Sequence, residues 1–291
     1  MTLAGTLALP AVAAGMEASM ATSVGMGDTV RSNPDDPGSV YAAPGMVWLG
    51  ERFDLGVGGG LGTDDVRVLQ VGAYDGQTSN VGLGVSWLVR RLEQSPSEGD
   101  LPGWRRKGES FSDQVESSVI AATVGGGGVH HMFGVGVGLR YYYRSSTLFG
   151  ADQSFNVAPS IAGILADHWT VSLTVENPLP LGYVDAPLGV GTGTRWQPTS
   201  RFAVAIDTLT DLGTVPGEVR FTPMVGMEAR VHETVPVRVG WQQDGPSQTQ
   251  FVSLGIGASN ESMGFNYGVR LNPWSTDGAE SMHRMSLRIS M

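Results

Sequence analysis

The sequence has no cysteine and a single lysine, Lys107, among its 291 residues. Without cysteine there are no disulfide scaffolds, no thiolate-ligated zinc and no thiol nucleophile. Basic charge is in short supply: 18 Lys and Arg against 28 Asp and Glu give a formal net charge of -10. A nucleic-acid binder needs a basic stripe to displace counterions from phosphate, so no nucleic-acid partner is expected. Nowhere do about 18 apolar residues follow one another, which a membrane-spanning helix requires. Only 16% of the residues are charged while 41% are hydrophobic, a balance that disfavours intrinsic disorder. Glycine is present in excess, 42 residues or one in seven, about twice the ordinary 7%. Seventeen of the eighteen basic residues are arginine.

Motifs that would carry catalysis are missing or fail their geometry. No G-x-G-x-x-G occurs; Gly56, Gly58, Gly60 and Gly62 instead repeat every second residue and line one face of a strand. Lys107 lacks the glycine pattern of a phosphate-binding loop. His232-Glu233-Thr234-Val235-Pro236 opens like a zinc-protease helix but ends in proline, and the adjacent His130 and His131 point to opposite faces of a strand. No metal site, cofactor or catalytic cluster is expected, and an enzyme is disfavoured.

Residues 1–14 form a short apolar run ending in Ala11-Val12-Ala13, the hydrophobic and cleavage regions of a secretory signal peptide. The basic start of such a signal is missing, so the true start is expected upstream. Residues 15–49 show no long period and contain Asn33-Pro34-Asp35-Asp36-Pro37-Gly38, a turn-forming cluster. They read as a compact irregular segment ahead of the main domain, residues 50–291.

From residue 50 the period is two. Val135, Val137, Leu139, Tyr141 and Tyr143 alternate with Gly134, Gly136, Gly138, Arg140 and Tyr142, a sorting that a strand achieves and a helix cannot. Such runs predict about fourteen strands: 50–61, 65–75, 79–92, 115–125, 129–145, 153–166, 168–176, 188–197, 201–209, 219–231, 234–243, 249–259, 262–272 and 281–291. Connections after even-numbered strands are short, as at Gly126-Gly127-Gly128, Asp167, His232-Glu233 and Asn260-Glu261. Those after odd-numbered strands are mostly long, the longest running from Glu93 to Gln114. A closed antiparallel transmembrane β-barrel, with tight periplasmic turns and outer loops, has this asymmetry. A soluble β-sandwich has no reason for it.

The apolar face is almost free of charge, Arg91 being the clear exception. The other face holds Arg52, Arg90, Arg140, Arg144, Arg195, Arg201, Arg220, Arg230, Arg238, Arg270, Arg284 and Arg288, with Asp54, Glu176, Asp207 and Glu228. Inside a barrel, arginines can pair bidentately with carboxylates, a geometry that an ammonium fits less well. Twelve inward glycines, Gly134, Gly136, Gly191 and Gly193 among them, leave room for a plug or a permeant. Asp28, Asp35 and Asp36 are expected either to meet the lumen arginines and hold residues 15–49 in place as a plug, or only to cap backbone amides of a turn. Two rings of aromatics are expected: Trp87, Trp241, Tyr141 and Tyr143 at one end, and Trp169, Phe202, Phe53, Tyr74 and Trp196 at the other.

Met26-Gly27-Asp28-Thr29-Val30, then Asn33 to Gly38 and Ser39-Val40-Tyr41-Ala42-Ala43-Pro44-Gly45-Met46, resemble the N-terminal hatch of the long-chain fatty acid transporter (FadL) superfamily. Ala43 stands where asparagine is usual. The last 70 residues, including Val237-Arg238-Val239-Gly240-Trp241 and His283-Arg284-Met285-Ser286-Leu287-Arg288-Ile289, are similar to the shorter PorV-like and TraF-like members. The resemblance implies a fourteen-stranded barrel with an N-terminal plug in a Gram-negative outer membrane, with Tyr41 in the plug element. Two functions remain open. One is a plugged, porin-like conduit for a hydrophobic or amphipathic small-molecule ligand, leaving by plug rearrangement or a lateral opening. The other is a non-transporting partner or anchor subunit for an envelope protein machine of the secretion or motility type. Both are in contact with outer-membrane lipid.

Overall fold

The computed structural model describes residues 20–291 apart from the loop 95–112 and short stretches at 51, 64–65, 78–80, 129–131, 148–149, 167, 180, 183–187, 214–217, 246 and 275–279. The leader expected at 1–14, His130, His131 and most of the longest loop therefore lie outside the described residues.

The strands are β1 (Phe53–Gly62), β2 (Arg67–Asp75), β3 (Gly82–Gln94), β4 (Asp113–Gly128), β5 (Phe133–Ser146), β6 (Gly150–Leu165), β7 (Trp169–Glu176), β8 (Leu181–Gly182), β9 (Gly189–Thr199), β10 (Phe202–Asp211), β11 (Arg220–His232), β12 (Val235–Gln243), β13 (Gln250–Ser259), β14 (Met263–Asn272) and β15 (Glu280–Ser290). Every pairing is antiparallel. The sheet closes because β1 pairs with β15 and β5 with β6. Fourteen long strands make the wall; β8 is a two-residue piece that rejoins β6 beyond the end of β7. The period of two decides which way each side chain points. Along β5, Val135, Val137 and Leu139 are exposed on the outside while Gly134, Gly136, Gly138 and Arg140 are buried inside.

The turn expected at Gly126-Gly127-Gly128 is strand instead: β4 runs through Gly128, and β5 starts at Phe133. Glycine is needed at 127 because the Trp48 indole occupies the place a side chain would take. At the end of the barrel where β15 finishes, Trp169 and Trp196 stack at 6.1 Å and Trp196 meets Phe202 edge-on at 6.4 Å. Tyr74 does not join them. It points inward, 1% exposed, and donates to Asp54 Oδ2 at 2.6 Å, because it shares a phase with Val68 and Gln70. At the other end Trp87 and Tyr143 are exposed, and Tyr141 packs on Phe155 at 4.9 Å.

Residues 20–49 lie within the ring of strands. They form α1 (Ala21–Gly25), α2 (Ser39–Ala42) and a 3-10 helix at Pro44–Trp48, and almost all are buried. These helices are too short to be stable alone. Packing on the inner wall supplies the difference, with Val40, Met46 and Val47 fully buried, each contributing about 1.5–3 kcal/mol.

Candidate functional site

The interior meeting of residues 20–49 with the wall is built from two complementary features. One is glycine. Gly82 and Gly84 face Val47 and Val40, Gly134 and Gly136 face Pro44 and Gly45, Gly191 and Gly193 face Arg31, and Gly255 faces Gly25. At Gly82, Gly134, Gly136 and Gly255 backbone approaches backbone because no Cβ intervenes, and at Gly84 and Gly191 the side chains of Val40 and Arg31 fill the space. Gly27 is required on its own account: its φ is +69°, and a Cβ would stand 2.7 Å from Trp241 N and O.

The other feature is charge. Arg31, the only basic residue of the segment, is buried; Nη2 lies 2.6 Å from Glu176 Oε1, and Nη1 donates to the Ala42 carbonyl at 2.7 Å. Arg140 lies 3.6 Å from the other Glu176 oxygen, donates to the Tyr41 carbonyl at 2.6 Å and stacks on the Tyr41 ring at 4.0 Å. The Tyr41 and Tyr142 hydroxyls share a bond of 2.7 Å. Asp207 of β10 accepts from the backbone N–H of Val30 and Arg31 at 2.8 and 2.7 Å, and Asp28 receives Arg270 at 2.9 Å. Asp35 receives Arg52 at 3.0 Å, and its carbonyl accepts from Arg288 at 3.0 Å. Charges placed this way fix which residue of the segment meets which strand, a role better attested for buried ion pairs than net stability.

Asp36 does not meet an arginine. Its carboxylate accepts from Ser23 Oγ at 2.5 Å and from Gly38 N–H at 2.8 Å, closing a turn within the segment. Burial pushes its pKa above the usual carboxylate range, against those two hydrogen bonds and the fields of Arg288 and Arg238. Arg144 lies half-buried near the end of β5, Arg220 pairs with neighbouring Glu218 at 3.0 Å, and Arg284 is buried beside Met282. Arg195, Arg230 and Arg238 surround Glu228 at 4.0, 3.9 and 2.7 Å. With Asp35, Arg52 and Arg288 they line a polar cavity of about 690 Å³ at the end of the barrel where the last strand finishes.

Sequence reasoning missed Arg31, Tyr142 and Asn177. Arg31 is isolated in an acidic, irregular segment, and no periodicity marks it as inward. At Asn177 the backbone turns left-handed, φ 54°. There the wall changes. β6 pairs with β7 from Ser160↔Thr174 to Leu165↔Trp169 and with β8 at Ser154 and Phe155, but among the described residues 157–159 have no partner on that side. Four residues of β6 separate the two ladders, whereas six separate Thr174 from Leu181 in the sequence. Pro159 sits within the lapse, where no ladder hydrogen bond is lost. Beside it on the outer face is an apolar groove of about 600 Å³ lined by Val124, Val135, Val137, Pro159, Ile161 and Val175.

No family model matches the sequence, and no curated protein matches it either. Solved structures share the fold. The Pseudomonas putida toluene transporter TodX superposes with a TM-score of 0.68 at 11% identity, over 94% of this chain and 97% of that one. The Ralstonia pickettii toluene transporter TbuX gives 0.69 at 10% identity over 94% and 98%. A Pseudomonas aeruginosa FadL homologue gives 0.64 at 11% identity over 94% and 98%. The first two are described as toluene transporters.

Proposed function

We propose that this chain is an outer-membrane conduit for small hydrophobic or amphipathic molecules, with residues 20–49 as its plug. Its exterior is an apolar band between two levels of aromatic residues, as a lipid-embedded barrel requires. The turns at the end where β15 finishes are short, so that end is periplasmic. The observation that carries a transport role is the lapse in the wall at β6 157–159 among the described residues, with the apolar groove beside it. A mere anchor has no use for a break in its ladder, whereas a permeant too apolar for a charged interior gains a sideways exit. Barrels of the same fold that are described as toluene or monoaromatic hydrocarbon channels support this substrate class. The Glu176–Arg31 pair ties the plug to the residue where the wall opens.

Proteoliposomes carrying the purified barrel should take up labelled toluene or a long-chain fatty acid faster than empty vesicles. Uptake at the empty-vesicle rate for both, with a stoichiometric protein co-purifying from outer membranes, would instead favour the role of partner subunit. The polar periplasmic cavity is the surface that such a protein would use.

A further inference from the structure

The outward face carries a charged row that a conduit does not need. We propose that a phosphate-bearing lipid headgroup of the outer leaflet seats between Arg67 and Arg91, an inference that rests on the outer-membrane reading above. Register places Arg67 of β2 opposite Arg91 of β3, Arg91 opposite Glu116 of β4, and Glu116 opposite Ser145 of β5. All four share the outward phase of their strands, so one polar row crosses four strands. Four residues further down each strand lies the row Val71, Trp87, Ile120 and Tyr141. At about 3.3 Å per residue and a strand tilt of roughly 40°, that separation is a rise of about 10 Å. The arginines therefore stand at headgroup height, just beyond the outer aromatic level.

Like charges directly opposite one another across an antiparallel pair are destabilising. Glu116 compensates one of them: Arg91 Nε donates to its Oε2 at 2.6 Å. Arg67 is exposed and has no carboxylate partner among the described residues. Arg91 is 71% exposed even while paired. A cavity of about 480 Å³ opens between them and is bordered by Gln114, Ser145 and Thr147, which add amide and hydroxyl donors. Planar guanidinium forks match phosphate oxygens two at a time, and a bound phosphate would relieve the repulsion between the arginines. Leu69 and Trp87, exposed below the row, offer the surface along which the acyl chains of the same lipid would lie.

Native mass spectrometry of barrel extracted in a mild detergent tests this, comparing wild type with Arg67→Gln/Arg91→Gln and with Arg201→Gln, which removes a guanidinium from the periplasmic end. Each protein must first migrate as a folded barrel on an unboiled gel, so that failure of the membrane reading is recognised separately. Wild type and Arg201→Gln should retain bound phospholipid or phosphorylated glycolipid, and the double variant about tenfold less, a loss of roughly 1.4 kcal/mol in binding. Delipidated protein is then offered diphosphorylated lipid A, dephosphorylated lipid A and phosphatidylglycerol. Preference for the phosphorylated glycolipid assigns the site to the glycolipid; equal retention of phosphatidylglycerol assigns it to phosphate regardless of the sugar. Equal retention by wild type and the double variant, or equal binding of the dephosphorylated form, overturns the proposal.

Discussion

At the scale of single residues, the interior is governed by what each side chain displaces. A Cβ on Gly193 would stand 2.8 Å from both the Cβ of Arg31 and Oδ1 of Asp207, and neither can retreat, since Asp207 also holds two backbone N–H groups of the plug. Gly193→Ala should cost about 1–3 kcal/mol as overpacking. Trypsin reads this directly, because Arg31 is its only target in residues 20–49, and cleavage there should accelerate while the barrel stays intact. Replacing Arg31 by Met leaves Glu176 buried with only Arg140, at 3.6 Å, to balance it. About 3–5 kcal/mol of plug attachment should go, seen as raised ion conductance across a planar bilayer. Asp36 titrates in the opposite sense to a salt-bridged carboxylate. Its folded pKa is raised by burial above the unfolded value. Its contribution is therefore fully present below the unfolded pKa, about 3.9, and is lost as pH rises through the folded pKa. Asp36→Asn should thus lower the ion conductance that reports plug release at pH 7 relative to wild type and make little difference at pH 4.

At the scale of elements, strands and plug differ in how they are encoded. Strand phase is written every second residue, so the inward set of Arg140, Arg195, Asp207, Arg238 and Arg270 could be read before any coordinates. Boundaries were less legible. The glycines at 126–128 read as a turn because glycine signals both turns and close approach, and only the position of Trp48 separates the two meanings. The plug was legible as irregular but not in its contacts, which join Val30 to a residue 177 positions away. The break after Glu176 left only a weak trace, Asn177-Pro178 before a loop. Whether the plug moves during transport can be tested on this element. A Cβ built on Gly84 lies 3.4 Å from Val40 Cβ, near the 3.5–4.5 Å that a disulfide spans, and no native cysteine competes. Oxidised Val40→Cys/Gly84→Cys should transport at the rate of its reduced form if the permeant leaves through the wall at β6. A reductant-dependent rise would assign the path to movement of the plug.

At the scale of the molecule, the composition becomes a consequence of closure. A barrel has an outside that meets lipid and an inside that meets itself, so along the apolar band charge is confined to the inner face of the strands and must be matched there over short distances. Arginine satisfies that demand by reaching two acceptors at once, as Arg31 and Arg140 do around Glu176. Glycine satisfies the second demand, letting a chain segment lie against the wall from within. Closure also removes the free edges that allow a sheet to unzip strand by strand. Unfolding is then a single event with a high kinetic barrier, and it predicts how the protein migrates. Unboiled in mild detergent, the barrel should run apart from its heated form on a denaturing gel. Arg31→Met should keep that difference in full, since it frees the plug and leaves all fourteen wall pairings untouched. Identical migration of boiled and unboiled wild type, with fractionation as a soluble protein, would remove the membrane barrel as the basis of everything above. Loss of the difference in Arg31→Met alone would show that the plug is part of the cooperative unit rather than a guest within it.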